Sequence, residues 1–244
     1  MTIKLSIIIP VFNNWNLTKA TLKDLSELPD DHEVIIVDNG STDDTEMMLT
    51  TMFFDGSGGP ILPGGFRYIR NEINEGFGKA CNKGFKASKG QYAMFLNNDI
   101  RVQDNYKTWT QPLIAAAKND IINGYGAIVG PTMGQLDNNL NFVKEANTNL
   151  DGNSYMSGWC ITASKETWKK LDISDNEIFS EEFFCYFEDT DLGFRARDAG
   201  IPTQIVPVPV IHFGKMTSKK LNISELYLNA RTIFVNKWLS KTSS

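Results

Sequence analysis

Leu5-Ser6-Ile7-Ile8-Ile9-Pro10 is a short β-branched apolar run that halts at a proline, and Glu33-Val34-Ile35-Ile36-Val37 is a second such run that ends at Asp38-Asn39-Gly40-Ser41. Apolar runs of this length, without alternation, mark strands buried on both faces. Between them, Leu17, Ala20, Leu22, Leu25 and Leu28 recur at helical spacing from Asn16 to Leu28. After the second run, Thr42 or Asp43 is placed to cap a helix reaching about Met52. Strand–helix–strand–helix alternation predicts an α/β fold, with a mostly parallel sheet covered by helices on both faces.

The pattern continues outward. Asp55 to Gly65 holds five glycines and two prolines and reads as a loop. Phe66 to Ile69 and Tyr92 to Leu96 read as strands, with a helix from Gly78 to Ser88 between them. The second of these strands stops at Asn97-Asn98-Asp99. A helix is expected from Trp109 to Lys118, a strand from Ala127 to Val129 and a short helix from Lys165 to Leu171. Asp137 to Tyr155 is Asn-rich without a clear period, which reads as irregular structure or a weak hairpin. Thr190 to Ala199 is a helix closed by Gly200, with Pro202 beyond. Ile205 to Ile211, broken by Pro207 and Pro209, reads as an edge strand.

From Ser224 to Leu239 the chain reads as an amphipathic helix. Leu221, Leu226, Tyr227, Ile233, Phe234 and Trp238 stand beside Lys219, Lys220, Arg231, Lys237 and Lys241. Such a helix packs on its own domain, pairs with a second copy or lies on a membrane. The expected division is one domain over 1–218 and a helical extension over 219–244.

With 244 residues, 41% of them hydrophobic and 22% charged, the chain has apolar material for a sizeable core. A formal net charge of −5 disfavours nucleic acid as a partner, though a local basic patch stays open. Cys81, Cys160 and Cys185 lack both disulfide and metal-ligand spacing, which suits a reduced, cytoplasmic setting. No leader pattern is seen at the N-terminus, and no apolar stretch approaches the roughly 20 residues that span a bilayer.

Two features point to chemistry. In open α/β sheets, ligands bind beyond the carboxyl ends of the strands. Pro10-Val11-Phe12-Asn13, Asp38-Asn39-Gly40-Ser41 and Asn97-Asn98-Asp99 all fall there. Each alone is a turn; together they form a rim suited to a polar ligand. The second feature is Phe184-Cys185-Tyr186-Phe187-Glu188-Asp189-Thr190-Asp191, which sets three carboxylates into an aromatic run. Aromatic surroundings raise the cost of charging them. That is the setting of a tuned base, or else of an acidic helix N-terminus.

The order of these pieces resembles glycosyltransferase family 2, with its GT-A fold. The resemblance runs from Leu5 to about Ser218. It rests on Ile8 to Asn13, Val37 to Asp43, Asn71 to Gly84 (NEINEGFGKACNKG), Gly90 to Asp99 (GQYAMFLNND), Glu188 to Arg195 (EDTDLGFR) and Val210-Ile211-His212. The NND and Y-x-ED-x-DL forms look nearest to rhamnosyl- and galactofuranosyltransferases.

The resemblance implies an inverting, metal-dependent sugar transfer from a UDP- or dTDP-sugar to a hydroxyl of a glycan or glycoconjugate, as in polysaccharide biosynthesis. Asp38 would accept from N3–H of a pyrimidine, with Pro10, Val11 and Asn13 around the base. Asn74 and Gly76 lie where the family's loop closes over the nucleotide. Lys79 is either a phosphate contact or a solvated surface lysine. Asn97, Asn98 and Asp99 match the family's DXD position with one carboxylate. Asp99 and His212 would hold Mn²⁺ or Mg²⁺, an imidazole favouring Mn²⁺. Asp189 would be the general base, and Glu188 would share that role or bind the acceptor. Trp159 either stacks on an acceptor sugar or belongs to the core. Asp191 and Arg195 read as a structural i,i+4 pair, and Cys160 and Cys185 as small buried hydrophobes. A glycan or lipid-linked acceptor is expected, with peripheral membrane contact or dimerisation through the last helix.

Two rival classes remain at this point. One is a nucleotide-sugar-binding protein with little or no catalysis, favoured by the missing first DXD carboxylate and opposed by the intact Glu188-Asp189. The other is a sugar nucleotidyltransferase, which wants a Gly-rich basic loop after the first strand; Pro10 to Trp15 has neither Gly nor Lys.

Overall fold

A computed structural model describes residues 2–54, 64–118, 124–214 and 223–242. Its elements run β1 (Leu5–Val11), α1 (Trp15–Leu25), β2 (His32–Asn39), α2 (Thr45–Phe54), β3 (Phe66–Asn71), α3 (Phe77–Ala87), β4 (Tyr92–Leu96), β5 (Ile100–Val102), α4 (Gln111–Ala116), β6 (Ile128–Gly130) and β7 (Met133–Leu136). There follow β8 (Phe142–Ala146), β9 (Ser154–Met156), β10 (Cys160–Ser164), α5 (Lys165–Lys170), α6 (Glu188–Asp198), β11 (Thr203–Ile205), β12 (Val210–His212) and α7 (Ile223–Thr242).

The main sheet has seven strands in the order β11-β6-β10-β4-β1-β2-β3. Neighbouring strands are parallel except that β10 runs antiparallel to both β4 and β6. The central strands explain their own sequences. Ile7, Ile9 and Val11 of β1, with Val34 and Ile36 of β2, enter the core on one face; Ile8, Ile35 and Val37 enter the core on the other. Every residue of β1 and β2 is buried, so neither strand has a polar side to offer. This is the expected GT-A architecture of a mostly parallel sheet flanked by helices.

Several expectations need correction. β1 does not stop at Pro10 but runs through it to Val11. The β4 ladder ends at Ile8↔Phe95, so Pro10 lies beyond its last rung on that side. Residues 205–211 are not one edge strand: β11 joins the main sheet, while β12 pairs antiparallel with β5 in a separate two-stranded sheet. The stretch 137–155 is more ordered than its composition suggests, because β7, β8 and β9 form a three-stranded antiparallel sheet. The loop expected over 55–65 falls outside the described residues except for Gly64 and Gly65, and the expected boundary at 218/219 also falls outside them.

Three left-handed turns aim chain ends at one place. Asn13 and Asn14 (φ 59° each) lead into α1, Gly76 (φ 96°) into α3, and Tyr186 and Phe187 (φ 72° and 64°) into α6. α7 packs on its own domain: Phe234 and Trp238 are buried with Phe187 and Phe194 in an aromatic cluster. No helix among the described residues is long and apolar enough to cross a membrane.

Candidate active site

The carboxyl ends of β4, β1 and β2 lie side by side, and the turns after them are laced together. The Asn13 side-chain oxygen accepts from the Thr42 and Asp43 amides (2.8 and 3.2 Å), while the Asn13 amide donates to Ser41 Oγ (2.7 Å). Asn39 Nδ2 donates to Asn74 Oδ1 (2.8 Å) and to the Gly76 carbonyl (3.0 Å), fixing the 71–76 loop against β2. Gly76 admits no side chain, since a Cβ there would stand 2.5 Å from the Phe184 carbonyl oxygen. The Phe77 amide donates to that same oxygen at 3.0 Å. The start of α3 is thereby locked to the segment that carries the acidic residues.

These pieces enclose a cleft of about 350 Å³. Of the residues chosen from sequence, Pro10, Val11, Asn74, Gly76, Asn97, Asn98, Asp99, Trp159, Glu188, Asp189 and His212 line it. Asn13, Asp38 and Lys79 do not. Asp38 is fully buried and accepts from the Ser41 amide (2.9 Å), the Tyr68 hydroxyl (3.0 Å) and Arg70 Nη1 (2.7 Å). Lys79 is 41% exposed, with Nζ 3.7 Å from Glu181 Oε2. Asn98 turns its amide toward α1, donating to Thr18 Oγ1 at 2.9 Å.

The acidic pair opens α6. Asp189 Oδ2 accepts from the Gly158 amide (2.8 Å), and Oδ1 accepts from the Thr190 amide (2.7 Å) and hydroxyl (3.2 Å). Glu188 is 9% exposed, and its buried Oε2 accepts no hydrogen bond. Burial pushes both carboxyls up; the Asp189 charge adds to the rise at Glu188, whereas the Gly158 and Thr190 donors pull Asp189 back. The arrangement suits a proton acceptor at Asp189 beside a more readily protonated Glu188. Cys185 departs from its sequence reading: it is half-buried and lines the cleft, its thiol pushed up to about 12 by burial and the neighbouring acids.

Asp99 and His212 meet across the β5–β12 pair. His212 Nε2 lies 3.1 Å from Asp99 Oδ1 and 3.1 Å from Asn97 Nδ2, and its ring stacks on Trp159 at 4.8 Å and 12°. Asp99 Oδ1 is buried with no hydrogen bond aligned on it. An orphaned carboxylate oxygen beside an imidazole nitrogen fits a divalent cation, Mn²⁺ more closely than Mg²⁺. No third His, Cys, Asp or Glu joins them among the described residues, so a ligand's oxygens would fill the other positions.

Other cleft residues escaped the sequence reading. Glu145 Oε1 accepts from Thr132 Oγ1 (2.6 Å) and Trp159 Nε1 (3.1 Å). Phe142, Tyr155, Ser157 and Gly158 also line the cleft, beside Phe184 of the acidic, aromatic run already singled out in the sequence. Gly158 alone had a signal, its place beside Trp159; Phe142, Glu145 and Tyr155 sit in the Asn-rich stretch that hides its strands.

Sequence and structure comparisons place this chain in a family. The profile of Glycosyl transferase family 2 matches residues 6–167, and the chain belongs to that family. A GalNAc(5)-diNAcBac-PP-undecaprenol beta-1,3-glucosyltransferase from Campylobacter jejuni is 24% identical over 189 residues, covering 74% of this chain and 56% of that protein. An "Uncharacterized glycosyltransferase" from Rickettsia bellii is 33% identical over 97 residues, covering 39% of this chain and 13% of that protein. The chain thus spans little more than half of one relative and a small part of the other. The same fold is found in the mannosyltransferase PcManGT from Pyrobaculum calidifontis in complex with GDP-Man and Mn²⁺, with a TM-score of 0.58, 13% identity and coverage of 84% of this chain and 55% of that one. It recurs in S. aureus TarS 1–349 in complex with UDP, with a TM-score of 0.53, 20% identity and coverage of 85% and 59%.

Proposed function

We propose that the chain transfers a sugar, with inversion, from a UDP- or dTDP-sugar to a hydroxyl of a glycan or lipid-linked glycoconjugate. The observation that carries this reading is one cleft shared by the Glu188–Asp189 pair, the Asp99–His212 pair and the carboxyl ends of β1, β2 and β4. Asp189 takes the proton of the acceptor hydroxyl. The oxygen then attacks the anomeric carbon from the face opposite the departing diphosphate, so configuration inverts. The Gly158 and Thr190 donors hold Asp189 in place for that transfer. Asp99 and His212 would hold Mn²⁺ or Mg²⁺, which supplies positive charge against the diphosphate. Asp38 is fully buried behind the cleft lining and takes three donors, so a base N3–H would reach it only by displacing one of them, such as the Tyr68 hydroxyl. The NND and Y-x-ED-x-DL forms favour a deoxyhexosyl or furanosyl donor. A lipid-linked acceptor would bring the protein to a membrane surface.

Titration with UDP, dTDP and GDP at fixed Mn²⁺ tests the donor half. UDP or dTDP is expected to bind at least about tenfold tighter than GDP, roughly 1.4 kcal/mol. Asp99→Ala should remove the Mn²⁺-dependent part of binding. Asp189→Asn should keep donor affinity yet lose on the order of 10²–10⁴ in transfer rate. GDP binding as tight as UDP would overturn the pyrimidine reading, and wild-type turnover in Asp189→Asn would remove Asp189 as the base.

A further inference from the structure

The cleft is one-sided in charge. Asp99, Glu145, Glu188 and Asp189 line it, and among the described residues no Lys or Arg does. Asp99 stands beside His212, the pair assigned above to a cation. The other three carboxyls gather toward Trp159 and Tyr155. The negative charge of Glu145 is felt at both Asp189 and Tyr155, which places β8 and α6 within electrostatic reach of one another.

One of these groups, Glu188, lacks a hydrogen-bond donor, and another, Glu145, keeps an oxygen open to solvent or to a ligand. Glu145 is exposed; its Oε1 is held by Thr132 and Trp159, while Oε2 takes no hydrogen bond from the described residues. Glu188 is more than nine-tenths buried, lines the cleft, and its Oε2 is orphaned. Leaving a buried acceptor unmet costs about 1–3 kcal/mol, which a ligand donor would recover. An anion at this end would meet the negative charge of Glu145, and of Asp189 when ionised, with no Lys or Arg among the described residues lining the cleft to offset it.

We propose that this end of the cleft selects an acceptor sugar that presents hydrogen-bond donors and carries no negative charge, and that Glu145 is the residue that enforces the choice. The proposal rests on the glycosyltransferase reading only for the word acceptor, since sugar binding is measurable without turnover. Hydroxyl and ammonium groups meet the same need, so neutral and amino sugars both qualify. Uronic acids and phosphorylated glycans do not. Glu145 acts by charge and by its free oxygen. Its place on an exposed strand of the small sheet leaves the core out of the test.

The test measures binding of chitobiose, its de-N-acetylated diamine and digalacturonate by saturation-transfer NMR, with and without UDP and Mn²⁺. Chitobiose and the diamine should bind at least about tenfold tighter than digalacturonate. Glu145→Gln, which keeps the oxygen facing Trp159 and Thr132, should weaken the diamine most. Glu145→Lys should raise digalacturonate binding. Cys185 gives a second reading that needs no sugar, because its thiol lines the cleft while Cys81 and Cys160 are fully buried. Cationic methanethiosulfonate should label it faster than the anionic reagent, by a ratio above that for free cysteine, and Glu145→Lys should lower the ratio. Digalacturonate binding as tight as chitobiose, no binding by any of the three sugars, or a labelling ratio untouched by Glu145→Lys would overturn the proposal. Absence of UDP binding in the same titrations would count against the glycosyltransferase reading instead, leaving the charge comparison intact.

Discussion

Asp189 and Glu188 are adjacent in sequence, yet three donors reach the oxygens of the first and none reaches Oε2 of the second. The acidic motif was legible in sequence; the division of labour within it was not, because the amide of Gly158 comes from a distant part of the chain. Gly158 is itself constrained, since a Cβ there would stand 2.9 Å from Asp189 Cβ. His32 illustrates a similar dependence far from the cleft. It is 2% exposed, with Nδ1 2.6 Å from Asp31 Oδ1 and Nε2 2.9 Å from Thr110 Oγ1. Burial lowers its pKa, outweighing the opposing pull of Asp31. The unfolded chain takes up this proton near pH 6.5 and the folded chain only at lower pH. His32 therefore costs no stability above that value, and stability is lost as pH falls below it toward the folded pKa. Glu188, raised rather than lowered, works in the opposite sense as pH rises above its unfolded value. The comparison of wild type with His32→Gln isolates the histidine. Urea midpoints should fall from pH 7.5 to 5.5 more steeply in wild type than in the variant, and equal slopes would remove His32 as a cause.

At the scale of elements, α7 buries one side of its stripe in its own domain. An amphipathic helix carries the same stripe whether it meets its own domain, a second copy or a membrane. Here Phe234 and Trp238 meet α6, and Trp238 Nε1 donates to the fully buried Asp191 at 2.9 Å. Lys237 Nζ reaches the same oxygen at 3.0 Å, and Arg195 Nε holds the other at 2.9 Å. The expected Asp191–Arg195 pair is therefore real but incomplete, because half of its partners arrive from a helix more than forty residues later. The Tyr227 ring packs against both Tyr186 and Phe187, the two left-handed residues that turn into the acidic pair. Trp238→Phe keeps most of the packing and deletes one donor to a buried charge. It should cost about 1.5–3 kcal/mol in urea unfolding. Hydrogen exchange over 184–192 should rise with it. A variant as stable as wild type, with unchanged exchange there, would show that α7 only covers α6.

For the whole molecule, the parallel half of the sheet was readable because β1, β2 and β4 are continuous apolar runs with polar stops. The other half was not. β10 (Cys160–Ser164) is mixed in character and runs backwards, so its starting end, beside Gly158 and Trp159, meets the finishing ends of its neighbours. A reader following strand ends would search beyond Ser164, on the wrong rim. The reversal also has an evolutionary corollary. The chain up to β5 builds one wall of the cleft, and the chain from β6 onward builds the other, the two joined by the β4–β10 ladder, by the Phe77–Phe184 hydrogen bond and by His212 returning to β5. Such a layout invites recombination. A chimera joined between α4 and β6, taking its second part from a family member that retains both the aspartate and the histidine, should inherit nucleotide preference from the first parent and sugar-acceptor preference from the second. Nucleotide preference that travels with the second parent would show that the two walls do not evolve as separate cassettes.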